Sequence, residues 1–129
     1  KKLVPFDTLY DYLGVIFLTI GFSVEAIADF QKNSFKSNPI NIGKPCHTGL
    51  WRFSRHPNYF GEAVFWWGIA LITFVQVPFY WAILGPLLIT FLLIKVSGVA
   101  MLEKLYEENN LYAEYRKNTN VFIPWMPKK

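Results

Sequence analysis

Cysteine is nearly absent from this chain. Cys46 is its one thiol, so no internal disulfide can staple the fold. Charge is also scarce: Asp, Glu, Lys and Arg make up 17% of the 129 residues, against the quarter usual in soluble domains. Acidic residues are missing altogether from 31–58. There is no internal repeat, no low-complexity segment and no signal peptide with a small-residue cleavage site. The length allows one domain, 1–129. The first residue is Lys1 rather than Met, so the chain is expected to be processed or to be a piece of a longer protein.

What the chain has in quantity is apolar surface: 53% of its residues are hydrophobic and 19% aromatic. Three stretches, 12–28, 59–77 and 79–100, each approach the roughly 20 residues that cross a hydrocarbon core. From 59 to 100 the only charges are Glu62 and Lys95. A buried helical hairpin in a soluble protein is the alternative, but such helices carry a polar stripe, and the third stretch has almost none. The expected fold is therefore all-α: a polytopic membrane protein of three transmembrane helices, a polar loop and a helical C-terminal tail.

Charge sets the expected topology. The loop 31–58 holds Lys32, Lys36, Lys44, Arg52 and Arg55, whereas the turn at 76–78 is uncharged. Short loops rich in Lys and Arg stay in the cytosol, which places loop 31–58 and the tail there. Trp66, Trp67, Tyr80 and Trp81 read as membrane packing with a share of interfacial anchoring. Gly85-Pro86 should kink the third span, because proline removes a backbone donor. The tail should run helically through Leu105 and Tyr106, stop at Asn109-Asn110, and resume around Leu111, Tyr112 and Tyr115. Phe122-Ile123-Pro124-Trp125 forms an apolar hook able to return to the membrane surface.

Ionisable groups near membrane spans are functional candidates by default. Glu25 and Asp29 lie four apart on one helix face, with Lys32 and Lys36 continuing the stripe; ordinary helix-end ion pairing explains it nearly as well. Lys95 fits snorkelling. Glu62 sits in the first turn of the second span, where the helix dipole favours a carboxylate. The densest constellation is 49–62, Gly-Leu-Trp-Arg-Phe-Ser-Arg-His-Pro-Asn-Tyr-Phe-Gly-Glu. Pro57 suits a helix start, whose free N–H groups favour an anion, and Arg52 and Arg55 suit phosphate oxygens. A basic loop resting on anionic lipid fits the same residues equally well. Cys46, His47 and His56 lack a further ligand at metal-binding spacing, so no metal is expected.

The run 49–62 resembles the signature of a membrane family related to the C-terminal domain of steroid 5-alpha-reductases. The segments Glu25-Ala26-Ile27-Ala28-Asp29-Phe30-Gln31-Lys32, Tyr112-Ala113-Glu114-Tyr115-Arg116 and Phe122-Ile123-Pro124-Trp125 resemble the same family, so the likeness covers almost the whole chain. The wider superfamily includes sterol reductases, which use NADPH, and isoprenylcysteine carboxyl methyltransferases, which use S-adenosylmethionine. The resemblance implies a cytosol-facing cofactor pocket built by the last helices, the loop and the tail. It carries cofactor contacts onto Asp29, Lys36, Asn58, Tyr59 and Glu62, onto Arg55 and His56 through the motif shared with the methyltransferases, and more loosely onto Glu103 and Tyr115. Arg52 joins the set on its charge. The catalytic Glu and Tyr of steroid reductases lie upstream of this region, so no catalytic residue is assigned, and the chain looks like the C-terminal half of a protein of six or seven spans.

Three functions follow as expectations. The first is an NADPH-dependent membrane reductase of a carbon–carbon double bond in a steroid- or lipid-like substrate, favoured by Asn58 and Glu62. The second is an S-adenosylmethionine-dependent methyltransferase of the lipid or isoprenylcysteine type. The third is a non-catalytic structural subunit of a membrane complex. The expected partners are a lipid bilayer, an apolar small-molecule substrate and, in the third reading, other membrane subunits; no nucleic acid is expected.

Overall fold

The computed structural model describes residues 5–128; residues 1–4 and 129 of the 1–129 domain lie outside them. All regular structure among the described residues is helical. Helix α1, Leu9–Lys36, opens on a reciprocal cap. The Asp11 N–H donates to Thr8 Oγ at 3.3 Å, while the Thr8 N–H donates to Asp11 Oδ2 at 2.9 Å. Two N–H groups that a helix start leaves unpaired are thereby satisfied. Helix α2, Pro57–Thr73, starts on the proline that needs no N–H partner there. Helix α3, Phe79–Phe91, is followed by a π-helical turn at Leu92–Val96 and by α4, Val99–Leu105. Helix α5, Asn110–Asn118, completes the set.

Two of these segments are long and apolar enough to cross a membrane: Leu9–Lys36 and the nearly continuous Phe79–Leu105. The middle apolar stretch forms α2, whose 17 residues extend about 26 Å at about 1.5 Å each. Proline 86 lies inside α3, which runs on to Phe91. The departure from α geometry comes later, in the wide turn at Leu92–Val96, where the Ser97 N–H reaches back to Leu92 O at 2.8 Å.

Helices α1 and α2 pack antiparallel with glycine against glycine. A β-carbon on Gly14 would stand 2.7 Å from Gly68 O, and one on Gly21 would stand 2.5 Å from Gly61 O. The converse holds for Gly61 against Gly21 O at 2.6 Å and for Gly68 against Gly14 O at 2.7 Å. Both pairs repeat every seven residues, two helical turns, so one seam of each backbone lies directly on the other. Small residues permit this approach where lipid removes the hydrophobic drive for helix association. On the other side of α2, the Trp67 indole N–H donates to Thr90 Oγ on α3 at 3.0 Å.

At one end of this bundle the loop, α4, α5 and the tail form a polar cap. Asn109 caps α5, accepting from the N–H groups of Leu111 and Tyr112, so it begins the second tail helix rather than ending the first.

Candidate cofactor cavity at the juxtamembrane cap

The cap begins where the loop is stitched to the end of α1. The Trp51 indole N–H donates to Ala28 O at 2.9 Å, and the Leu50 N–H donates to Gln31 Oε1 at 2.9 Å. Gly49 takes a positive φ of 61°, a conformation that favours glycine, and lies against the Gln31 side chain. Ala28, Cys46 and Trp51 form a small buried core beneath. The ammonium of Lys32 sits 5.1 Å from the centre of the Trp51 ring, within cation–π range.

The next residues are clamped by the tail. The Ser54 hydroxyl donates to Phe122 O at 2.6 Å and accepts from the His56 N–H at 3.1 Å. The Arg55 N–H donates to Asn120 O at 2.8 Å, and its Nε donates to Thr119 O at 3.1 Å. The Tyr115 hydroxyl donates to Trp51 O at 2.5 Å, with Ser54 O at 3.1 Å.

Glu103, on α4, is the hub of the cap. Arg55 meets its Oε2 at 2.5 Å, His56 Nε2 meets its Oε1 at 2.7 Å, and the Tyr112 hydroxyl donates to Oε1 at 2.9 Å. Arg116 Nε lies 3.3 Å from Oε2. A carboxylate accepts but does not donate, so His56 carries its proton on Nε2; its Nδ1 is buried without a partner. Burial raises the Tyr112 phenol well above its ordinary pKa, and the charge of Glu103 adds to the rise. Burial likewise raises Tyr115, with Tyr112 the next contributor.

A cavity of about 330 Å³ opens between the end of α1, the loop, α4 and α5. Its cations are Lys32, Lys36, Lys44 and Arg55, and no carboxylate among the described residues lines it. Trp51, Tyr106 and Tyr112 supply aromatic walls. A pocket with this charge and these aromatic walls suits an anionic ligand with a flat apolar portion.

All the expected site residues but Arg52 divide into three groups. Lys36, Arg55, His56 and Tyr115 line the cavity. Glu103 stands behind it, holding Arg55 and His56 in place. Asp29, Asn58, Tyr59 and Glu62 lie outside the lining. Asn58 donates to Asp29 Oδ1 at 3.1 Å, and Glu62 falls within electrostatic range of Glu25 and Tyr59. Tyr59 stacks on His56 at 5.8 Å between ring centres and so joins the two groups. Arg52 is exposed, its guanidinium 5.8 Å from the Phe53 ring centre. Lys32, Lys44, Trp51, Tyr106 and Tyr112 in the lining, and Arg116 beside Glu103, were not among the expected site residues. The available signal was the i, i+3, i+4 spacing of Tyr112, Tyr115 and Arg116, which puts all three on one face of α5.

The chain matches, over residues 3–119, a family described as a protein of unknown function, DUF1295. It is also 38% identical over 58 residues to a protein named probable O-methyltransferase ustE from Ustilaginoidea virens. That match covers 45% of this chain and spans 20% of the relative's length. No solved structure matches the chain.

Proposed function

The chain belongs to the DUF1295 family of proteins of unknown function, and on that premise we propose that it forms the cofactor-binding part of an NADPH-dependent membrane reductase. The observation that carries this reading is the cavity with Lys32, Lys36 and Lys44 in its lining, Arg55 beside them already paired with Glu103, and no carboxylate among its described lining residues. A dinucleotide with three phosphate groups gains from such a field, whereas a sulfonium cofactor with net positive charge is opposed by it. When bound, NADPH supplies the hydride for reduction of a carbon–carbon double bond in an apolar, lipid-like substrate. Lys32, Lys36 and Lys44 would neutralise phosphate oxygens, with Arg55 held beside them by Glu103. Trp51 and Tyr106 shield a flat ring from water. Asn58, Tyr59 and Glu62 lie outside the cavity lining and would hold the carboxamide or the adjacent ribose where the cofactor extends past His56 toward Tyr59. α2 crosses the bilayer beside α1, and the cap faces the cytosol. A cysteine at Ser37 is then labelled only from the cytosolic side, and labelling from outside overturns that orientation.

A second reading is an S-adenosylmethionine-dependent O-methyltransferase. It is favoured by the name of the relative matched over 58 residues and by aromatic walls able to receive a sulfonium.

The two readings part in a side-by-side titration of purified protein with NADPH and S-adenosylmethionine. Saturable NADPH binding is expected, weakened by added salt. Glu62→Gln, which removes a charged acceptor, should weaken it roughly tenfold to a hundredfold. Thermal protection by S-adenosylmethionine and not by NADPH transfers the assignment to the second reading. Binding of neither favours a non-catalytic membrane subunit.

A further inference from the structure

The end of the chain carries an apolar surface that the cavity does not use. Ile123, Trp125 and Met126 are 64%, 72% and 67% exposed, with Val121 at 40%. This exposure is not that of a loose tail. The backbone beneath these side chains is tied to the rest of the cap at three points: Phe122 O accepts from buried Ser54, the Trp125 N–H donates to Phe53 O at 3.1 Å, and the Lys128 N–H donates to Asn118 O at 2.8 Å. The strap is held in place while its large side chains point away from the protein.

Its position says what meets them. Arg55, paired with Asn120, lies two residues before α2 begins, and Phe122 packs edge-on against Phe60 in the first turns of α2 at 5.6 Å between ring centres. The neighbouring loop is stitched to the end of α1, a helix long and apolar enough to cross a membrane. The strap therefore sits at the level where the bundle leaves the hydrocarbon. Tryptophan beside aliphatic residues is the composition favoured in that interfacial layer. Exposed Arg52 and Lys128 flank the strap and complement anionic headgroups.

We infer that residues 121–126 form an interfacial anchor, inserting Ile123, Trp125 and Met126 into the headgroup layer of the bilayer on the same side as the cavity. The anchor does not depend on the cofactor assignment. Because its backbone is bonded to 53–55, the bilayer holds the segment that delivers Arg55 and His56 to the cavity.

The test is spin labelling of the full chain in vesicles of phosphatidylcholine with phosphatidylglycerol. Ile123→Cys and Trp125→Cys are made separately in a Cys46→Ala background, with Ser37→Cys as a loop control, and circular dichroism identifies variants that keep their helices. At positions 123 and 125, collisions with oxygen should exceed those with a water-soluble nickel chelate, and at 37 the order should reverse. As an independent readout on the unmodified protein, bromine on the upper acyl chain should quench tryptophan fluorescence more in the parent than in Trp125→Phe. Water-like accessibility at both labelled sites, as a soluble partner's surface would give, overturns the anchor. Spin–spin broadening that marks a second copy of the chain also overturns it, as does quenching unchanged by Trp125→Phe.

Discussion

The α1–α2 pair and the cap are held together by opposite means. Between the helices the contact is backbone on backbone, Gly14 on Gly68 and Gly21 on Gly61, and among the described residues no ion pair joins α1 to α2. In the cap a single carboxylate, Glu103, gathers Arg55, His56, Tyr112 and Arg116, and three backbone carbonyls of 119–122 close the strap. The difference follows from the surroundings. Lipid is as apolar as the helices, so association rests on close packing. Where water has access, charged side chains reach their partners without the full cost of isolation in hydrocarbon, and a satisfied network fixes one arrangement.

The comparison breaks most visibly at Gly21. Gly21→Val would drive a side chain into Gly61 O and the backbone of Phe65, atoms that cannot rotate aside. We expect about 3 kcal/mol of lost stability, the upper part of the usual range for overpacking, read from unfolding of the protein in mixed micelles. An unchanged midpoint would mean that the glycine seam does not hold the pair.

In the cap, Glu103→Ala should cost about 2 kcal/mol, the scale of hydrogen bonds to a charged group. Its signature differs: residues 106–128 should become protease-sensitive while the helices of the bundle stay protected. If α1 and the tail loosen together, the two regions are one cooperative unit and the contrast fails.

Alkaline pH should sharpen the contrast further. Tyr112 and Tyr115 hold their protons above the ordinary phenol value of 10.0 in the folded cap. Folded protein therefore binds more protons than unfolded protein once pH exceeds 10. Their contribution is complete below that pH and declines above it, by about 1.4 kcal/mol per pH unit for each tyrosine. Tyr112→Phe or Tyr115→Phe should make this decline shallower, whereas the effect of Gly21→Val should not vary with pH. A decline equally steep in both Phe variants would remove these phenols as its source.

The smallest effect belongs to Gly85, whose β-carbon position in α3 is open space. Gly85→Ala should change stability by less than about 0.5 kcal/mol, as substitutions away from specific contacts do. A large loss there would show that glycine matters in these helices for a reason other than a facing backbone.

Much of the architecture was legible along the chain. Helical structure, the apolar stretches at 12–28 and 79–100 and the break between the tail helices follow from local composition. Pro57 marked the start of α2 to the residue. The middle stretch is a different matter, since α2 is a shorter helix than the stretch 59–77 promised, and among the described residues only Leu9–Lys36 and Phe79–Leu105 have the length and apolarity of spans. Gly85-Pro86 pointed to a distortion, yet the change of helix type falls at Leu92–Val96. The site was readable in outline through the run 49–62, but not its division into a cationic cavity and a separate group of Asp29, Asn58, Tyr59 and Glu62.

Sequence alone determined that this chain is helical, that it carries segments fit for a membrane, and that residues 31–58 hold basic residues and no acidic one. Those properties are sums over neighbouring residues, and spacing along a chain expresses them directly. Tertiary structure decided which glycines face each other and which groups share Glu103. Gly21 and Gly61 are 40 positions apart in the numbering, and Arg55 lies 48 from its carboxylate. Two glycines seven residues apart fit a loose helix as readily as a packed seam. A glutamate just past an apolar helix reads as a solvated end until α5 and the 53–56 corner close around it, because a burial partner is a property of the folded chain and not of the local sequence.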